Sequence, residues 1–209
     1  MAISIDKFVE KRPFLYHLTS QTNVASIRAT RVLESAERLL RAAGRSDLLT
    51  TRRREGQQVI IGETTVHIRD QSPLHAGNMR LEPGWTLDDF VLHLNERVFF
   101  WPGRDGGPIS YGLRHYQRYE IDQPAMVRVP TGALLKANPN TIPLFCKYNS
   151  GSPRCSQGRK SPRTRRTFLP ADAAEFGVPQ VVEVTFPGAV RLPRETELGS
   201  TPVGPWEIL

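Results

Sequence analysis

Short apolar runs set the limit on what this chain can fold into. Phe14–Leu18 (FLYHL), Val98–Trp101 (VFFW), Ala125–Val129 (AMVRV) and Gln180–Phe186 (QVVEVTF) are each only four to seven residues long. Runs of that length, rich in aromatic and β-branched residues, make buried strands. Helix signals fall between them without a regular alternation. Asn23 is placed to cap a short helix through Thr30. Ser35 is placed to cap a second, with Ala36, Leu39, Leu40 and Ala43 on one face and Gly44 as its stop. Thr86 and Asp89 form a capping box in front of Leu87, Phe90, Val91 and Leu94, which repeat at helical spacing up to Glu96. Thr131–Ala137 predicts another short helix, and Val59–Ile61 with Val66–Ile68 a strand pair around Gly62. Pro102-Gly103 should end the aromatic strand. This irregular mixture predicts an α+β fold rather than a doubly wound sheet.

At 209 residues the expectation is a single domain over 1–209. No stretch of about 18 apolar residues predicts a membrane-spanning helix. The N-terminal MAISIDKFVEKRP lacks the apolar centre of a signal peptide. Two cysteines, Cys146 and Cys155, are too few for a disulfide framework or a four-thiolate zinc site. A reducing cytoplasm is the expected setting. The formal net charge is +7, from 28 basic and 21 acidic residues. Its location is more informative than its size. The 22 residues from Lys147 to Phe168 hold seven cations and no acid: Lys147, Arg154, Arg159, Lys160, Arg163, Arg165 and Arg166. Outside them the chain has 21 basic and 21 acidic residues and is neutral. These cations lie in a Pro/Gly/Ser-rich stretch, Pro139 to Pro170, that reads as one long loop. A basic loop is either a solvated, mobile segment or a contact for an anionic partner.

Two residues stand out as candidates for chemistry. Glu183 interrupts an apolar strand, flanked by Val181, Val182, Val184 and Phe186. A carboxylate there is costly unless it is paired or faces a cleft. Alternation also permits a solvated face shared with Val181 and Thr185. His17 ends the first strand and is followed by the hydroxyls of Thr19 and Ser20. A histidine beside a strand is either a structural residue or a ligand contact. His67, His75, His93 and His115 show no spacing typical of a metal site, and no Walker loop, Gly-x-Gly-x-x-Gly or Gly-x-Ser-x-Gly motif is present.

The order of these features carries a resemblance. Tyr16-His17-Leu18-Thr19, then Asn23, then Leu48-x-x-x-Arg52-Arg53, then Arg97-Val98-Phe99-Phe100-Trp101-Pro102, and finally Gln180-Val181-Val182-Glu183 resemble the motif series of DarT-type DNA ADP-ribosyltransferases. That family shows Tyr-His-Ile-Thr, Ile-x-x-Arg-Arg, Val-Pro-Phe-Tyr-Phe-x-Pro and a late Gln-Ala-Glu strand. The chain resembles still more closely a bacterial domain family with a Phe-Phe-Trp-Pro-Gly signature and no assigned activity. Arg97 stands where the first family has proline, and Phe99-Phe100 where it has Tyr-Phe.

The resemblance implies a split β-sheet core flanked by short helices, with NAD as co-substrate and no metal. It implies NAD contacts from His17, Thr19 and Asn23, and stacking on nicotinamide by Phe99 or Phe100. It places Arg52 or Arg53 at the NAD phosphates, the run of arginines leaving the register open, and makes Glu183 the catalytic carboxylate. A carboxylate beside the ribose stabilises developing positive charge and can take the acceptor's proton. The seven cations of the 147–168 loop would then hold a nucleic-acid acceptor, DNA or RNA, with Tyr148 and Phe168 as stacking faces. The family further implies an antitoxin or ADP-ribosyl hydrolase partner. Alternatives within the same chemistry are NAD hydrolysis and transfer to protein or RNA. A non-catalytic nucleic-acid-binding domain on the same fold is the alternative outside it.

Overall fold

Strand Phe14–Thr19 lies near the middle of the main sheet, and its pairing determines where the molecule opens. The computed structural model describes residues 2–209. The order across the sheet is Trp206–Ile208, Glu197–Gly199, Ala125–Pro130, Phe14–Thr19, Arg97–Arg104, Glu183–Pro187 and Leu144–Cys146. Every neighbouring pair is antiparallel. A short eighth strand, Gly107–Pro108, folds back on the aromatic strand.

The first strand pairs with Ala125–Pro130 along its whole length, from Phe14 opposite Pro130 to Thr19 opposite Ala125. On its other side the ladder covers only Phe14 to Tyr16, opposite Gly103 to Trp101. Past Trp101 the aromatic strand pairs instead with the Glu183 strand, Phe100 opposite Val184 and Arg97 opposite Pro187. The sheet therefore splits between His17–Thr19 and Arg97–Phe100.

Both faces of this sheet are covered, which explains why its strands are apolar on both sides. Leu15, Phe100, Val127, Val129, Val184 and Phe186 form one face and pack with Phe8, Leu134 and Phe176. Tyr16, Leu18, Trp101 and Met126 form part of the other, under Tyr111, Tyr116 and Tyr119. Further along that side, Phe99 and Cys146 meet Phe90, Val91 and Leu94 of helix Leu87–Asn95. Phe100 is wholly buried, edge-on to Phe186 with ring centroids 5.7 Å apart. Truncating such a side chain costs about 3–5 kcal/mol.

The capping signals are mostly realised. Thr86 Oγ1 accepts from the Asp89 amide (3.2 Å) and Asp89 Oδ2 accepts from the Thr86 amide (2.8 Å). Ser35 caps Ala36–Ala42, and Gly44 beyond it takes φ +68°, where a Cβ would be strained. The hairpin Gln57–Ile61 with Thr64–Ile68 turns at Gly62. One cap is corrected. Ser20, not Asn23, caps helix Gln21–Thr30, accepting from the Thr22 amide at 3.3 Å.

Other expectations also change. Pro102-Gly103 does not end the aromatic strand, which runs to Arg104. Proline is tolerated there because its carbonyl accepts the Ile109 amide (3.0 Å) while its missing N–H is not called on. Helices Ile5–Lys11 and Ser110–Tyr119 were not signalled. The 139–170 stretch is not one long loop. It contains Leu144–Cys146, Cys155–Ser156 and Arg159–Arg163, the last pairing in parallel with Met79–Leu81. The late strand begins at Glu183, after a 3₁₀ turn over Val178–Gln180. Among the described residues no helix is long and apolar enough to cross a membrane.

Candidate functional site

The split in the sheet opens into a cavity of about 570 Å³. Its walls come from both diverging strands, from helix Gln21–Thr30, from the segment around Arg53, from His67–Gln71 and from Asn149–Ser152. The size lies within the range of small-ligand sites. His17, Thr19, Asn23, Arg53, Phe99 and Glu183 all line it. Six expected site residues, spread over more than 160 positions of sequence, thus meet in one place.

Glu183 is the decisive case. The solvated-face alternative does not hold, because its residue is 3% exposed and Thr185 beside it is fully buried. The strand is interior, paired with the aromatic strand on one side and Leu144–Cys146 on the other. Oε1 accepts the Ser150 amide at 3.1 Å, while buried Oε2 has no partner in the protein. Burial pushes the carboxyl up to about 7, against the opposing pull of the Ser150 hydrogen bond and the Arg163 charge.

His17 sits in the fork where the ladder ends. Its Nδ1 lies 2.8 Å from the Phe99 carbonyl, so that nitrogen carries the hydrogen and Nε2 is left as an acceptor. Burial pushes the ring down to about 4, opposed by that hydrogen bond and helped by the Arg69 charge, and it is neutral at pH 7. Asn23 braces the same wall. It donates to Thr19 Oγ1 (3.1 Å) and the His67 carbonyl (2.9 Å), and accepts the His67 amide at 2.8 Å.

Of the two adjacent arginines, Arg53 lines the cavity. Its Nε donates to the Arg69 carbonyl (3.1 Å) and its Nη2 to Asn95 Oδ1 (3.0 Å), leaving buried Nη1 without a partner. Burial pulls this guanidinium down to about 10, still cationic at neutral pH. Arg52 does not line the cavity. Its guanidinium is spent on the Gln71 (3.2 Å) and Ser72 (2.6 Å) carbonyls. Phe100 is likewise outside it, since strand alternation turns it into the core while Phe99 faces the cavity.

The cavity has walls that the sequence did not announce. Arg97, Trp101, Ser150, His115, Tyr119 and Asp70 also line it. The only sequence signal for Trp101 was its position two residues after Phe99 on the same strand. Asp70 accepts from Tyr119 (3.0 Å) and from the Ser72 amide (2.8 Å). Burial pushes His115 down to about 3, beside Trp101 at 4.6 Å between rings. Among the described residues, eight buried side-chain nitrogen or oxygen atoms lack a partner. Five belong to cavity residues: Arg53, Arg97, Trp101, Ser150 and Glu183. Each such atom costs about 1–3 kcal/mol if left unsatisfied. The unsatisfied polar atoms of the described residues are thus concentrated on the residues that line the cavity.

The seven cations of 147–168 separate into three groups. Lys147, Arg154, Arg159 and Lys160 are exposed, and none makes an ion pair among the described residues. Arg165 and Arg166 are exposed but paired, with Glu82 and Glu175 respectively. Arg163 is not a surface cation at all. It is 1% exposed, with its donors directed inward. Phe168 is also buried, edge-on to Phe99, and offers no stacking face, while Tyr148 has Arg163 on its ring at 5.0 Å.

No curated protein and no solved structure matches this chain. One family model matches residues 13–196, which include all the strands that border the split. The chain therefore belongs to the family described as Family of unknown function (DUF7002).

Proposed function

We propose that the split is an NAD site and that the protein transfers ADP-ribose to a nucleic-acid acceptor. The observation that carries this reading is that Arg53 and Glu183, residues of opposite charge that line one cavity with His17, each keep a buried polar atom unpartnered, Nη1 and Oε2. These atoms fit a dinucleotide. A guanidinium N–H is a donor for a phosphate oxygen. A buried carboxylate oxygen and the His17 Nε2 acceptor suit ribose hydroxyls. Phe99 supplies an apolar face for a planar ring. When bound, NAD supplies a glycosidic bond whose cleavage releases neutral nicotinamide and leaves positive charge on the ribose.

Glu183 is set to meet that charge. Near pH 7 its carboxyl is balanced between two protonation states, and a neighbouring positive charge draws it to the ionised one. The low-dielectric surroundings strengthen the attraction. Once the acceptor's nucleophile bonds to the ribose carbon, its proton passes to Glu183 and then to solvent. Arg53 is held by Asn95, which is in turn fixed by Gln71 and by the Leu49 carbonyl (2.8 Å), so the guanidinium meets a phosphate already oriented.

The acceptor contact falls to the exposed cations. Arg154, Arg159 and Lys160 surround a hairpin turn that follows directly from Asn149–Ser152 in the cavity wall. Phosphate contacts there would make binding steeply salt-dependent. The test is incubation of the purified protein with NAD and labelled single-stranded DNA and RNA oligonucleotides. Release of nicotinamide with a mass increase on the oligonucleotide is expected. Release without any adduct would identify water or protein as the acceptor. Absence of both, with NAD demonstrably bound, would remove the transferase reading.

A further inference from the structure

Arg163 belongs to the basic run but behaves as an interior residue. Its Nε donates to the Ser150 carbonyl (3.1 Å) and Nη2 to the Asn149 carbonyl (2.9 Å). Nη1 donates to Ser161 Oγ (2.6 Å) and the Pro162 carbonyl (2.9 Å). Its plane lies near the rings of Tyr148 and Phe90, at 5.0 and 6.0 Å. Burying a guanidinium with no carboxylate bonded to it is expensive, and an apolar side chain of similar volume would fill the space at lower cost. The backbone beneath it is firm. Arg163 pairs with Leu81 across a parallel ladder, and its carbonyl accepts the Glu82 amide at 3.1 Å.

The segment it grips is not firm in its own right. Asn149 and Ser150 lie outside any strand. Nearby local ties are Tyr148 amide to Cys146 Sγ (3.3 Å) and Ser152 amide to the Asn149 carbonyl (3.2 Å). Ser150 nonetheless supplies the donor that orients the Glu183 carboxylate. We propose that Arg163 is a positioning residue: it clamps Asn149 and Ser150 so that the Ser150 amide stays on Glu183 Oε1 and Oε2 stays unpartnered by the protein.

Other titratable groups near Glu183 do not replace it. Cys146, from the adjoining strand, is pushed up by burial and stays a thiol. Arg97 and Arg53 line the same cavity but make no hydrogen bond to Glu183, and His17 is neutral. Arg163 also opposes the effect of burial on Glu183 through its charge.

The inference rests on the reading of Glu183 as the reactive carboxylate, but its test does not need turnover. Isotope-edited infrared titration of the ligand-free protein follows the Glu183 carboxyl, assigned by its loss in Glu183→Gln. In Arg163→Met the midpoint should rise by about one pH unit or more, a tenfold change in ionisation. Arg163→Lys keeps the charge but cannot hold both carbonyls, so it should recover only part of the shift. Hydrogen exchange of the Ser150 amide in Arg163→Lys should accelerate by about tenfold or more, which serves if the Met variant does not fold. An unchanged midpoint in folded Arg163→Met, full recovery by Lys, or unchanged Ser150 exchange each overturns the proposal. Failure of the wild type to release nicotinamide would instead overturn the NAD reading and leave the titration result standing.

Discussion

Arg128 and Arg53 lie on opposite sides of the first strand, and their surroundings differ in kind. Arg128, on the fully paired side, donates to Glu197 (2.6 Å) and Asp105 (3.1 Å) and lies over Phe14 and Trp206 at 4.7 and 4.5 Å. Two acids compensate its charge within the protein. Arg53, on the split side, is held by neutral acceptors only and keeps one donor unmatched. The first arrangement neutralises a charge on an interior strand from within the protein. The second carries a stability cost that a bound anion would offset. The same contrast separates Thr185, whose hydroxyl reaches the Leu144 carbonyl, from Glu183 two residues earlier with its buried, unpartnered oxygen.

The largest effect expected is at Glu183. Glu183→Gln should lower nicotinamide release by at least about a hundredfold, measured at saturating NAD. The same variant should be more stable than wild type at high pH. Glu183 takes up a proton more readily folded, at about 7, than unfolded, at about 4.5, so ionisation works against folding. The penalty is absent below about pH 4.5, grows as pH rises, and is complete above about pH 7. At pH 8 the variant should gain up to about 3 kcal/mol, and at pH 4 the two melting curves should converge. His17, His93 and His115 act in the opposite sense, costing stability as pH falls below about 6.5, but they are common to both proteins and cancel in the comparison.

Next in size is the exchange of the two arginines. Arg53→Met should weaken NAD binding by about tenfold or more and leave thermal stability near or above wild type. Arg128→Met should do the reverse, losing about 2 kcal/mol of stability with NAD affinity unchanged. Calorimetric titration and thermal unfolding on both variants check the pair. If both lose binding, or both lose only stability, the distinction between the two sides of the strand is wrong.

Smaller effects are expected at the surface. Replacing Arg154, Arg159 and Lys160 by Gln should reduce the salt slope of oligonucleotide binding by about 2 and spare NAD binding. Replacing Arg165 and Arg166, already paired with Glu82 and Glu175, should change oligonucleotide affinity by less than about fivefold. Fluorescence anisotropy over a salt series separates the two sets.

Local chemistry was readable in the sequence, whereas long-range accommodation was not. The Thr86–Asp89 box, the Ser35 cap and the apolar strands each depend on residues within a few positions. Asn23 failed as a cap because its amide is used by His67, 44 residues away. Arg52 and Arg53 are adjacent and chemically identical, and only the location of Asn95 and of the Gln71 and Ser72 carbonyls tells them apart. Helix Ser110–Tyr119 carries its buried side through Tyr111, Tyr116 and Tyr119, a stripe of aromatic rather than aliphatic residues. Arg163 was hidden by its company, since a cation in a basic run gives no local sign of burial. Glu183 and His17 were legible because each breaks an apolar strand.

The most direct test is a crystal structure with a non-cleavable NAD analogue bound. The account predicts the analogue in the split between His17–Thr19 and Arg97–Phe100, with a phosphate oxygen on Arg53 Nη1 and a ribose hydroxyl on Glu183 Oε2. An analogue bound elsewhere, or a split left empty at saturating concentration, would contradict it.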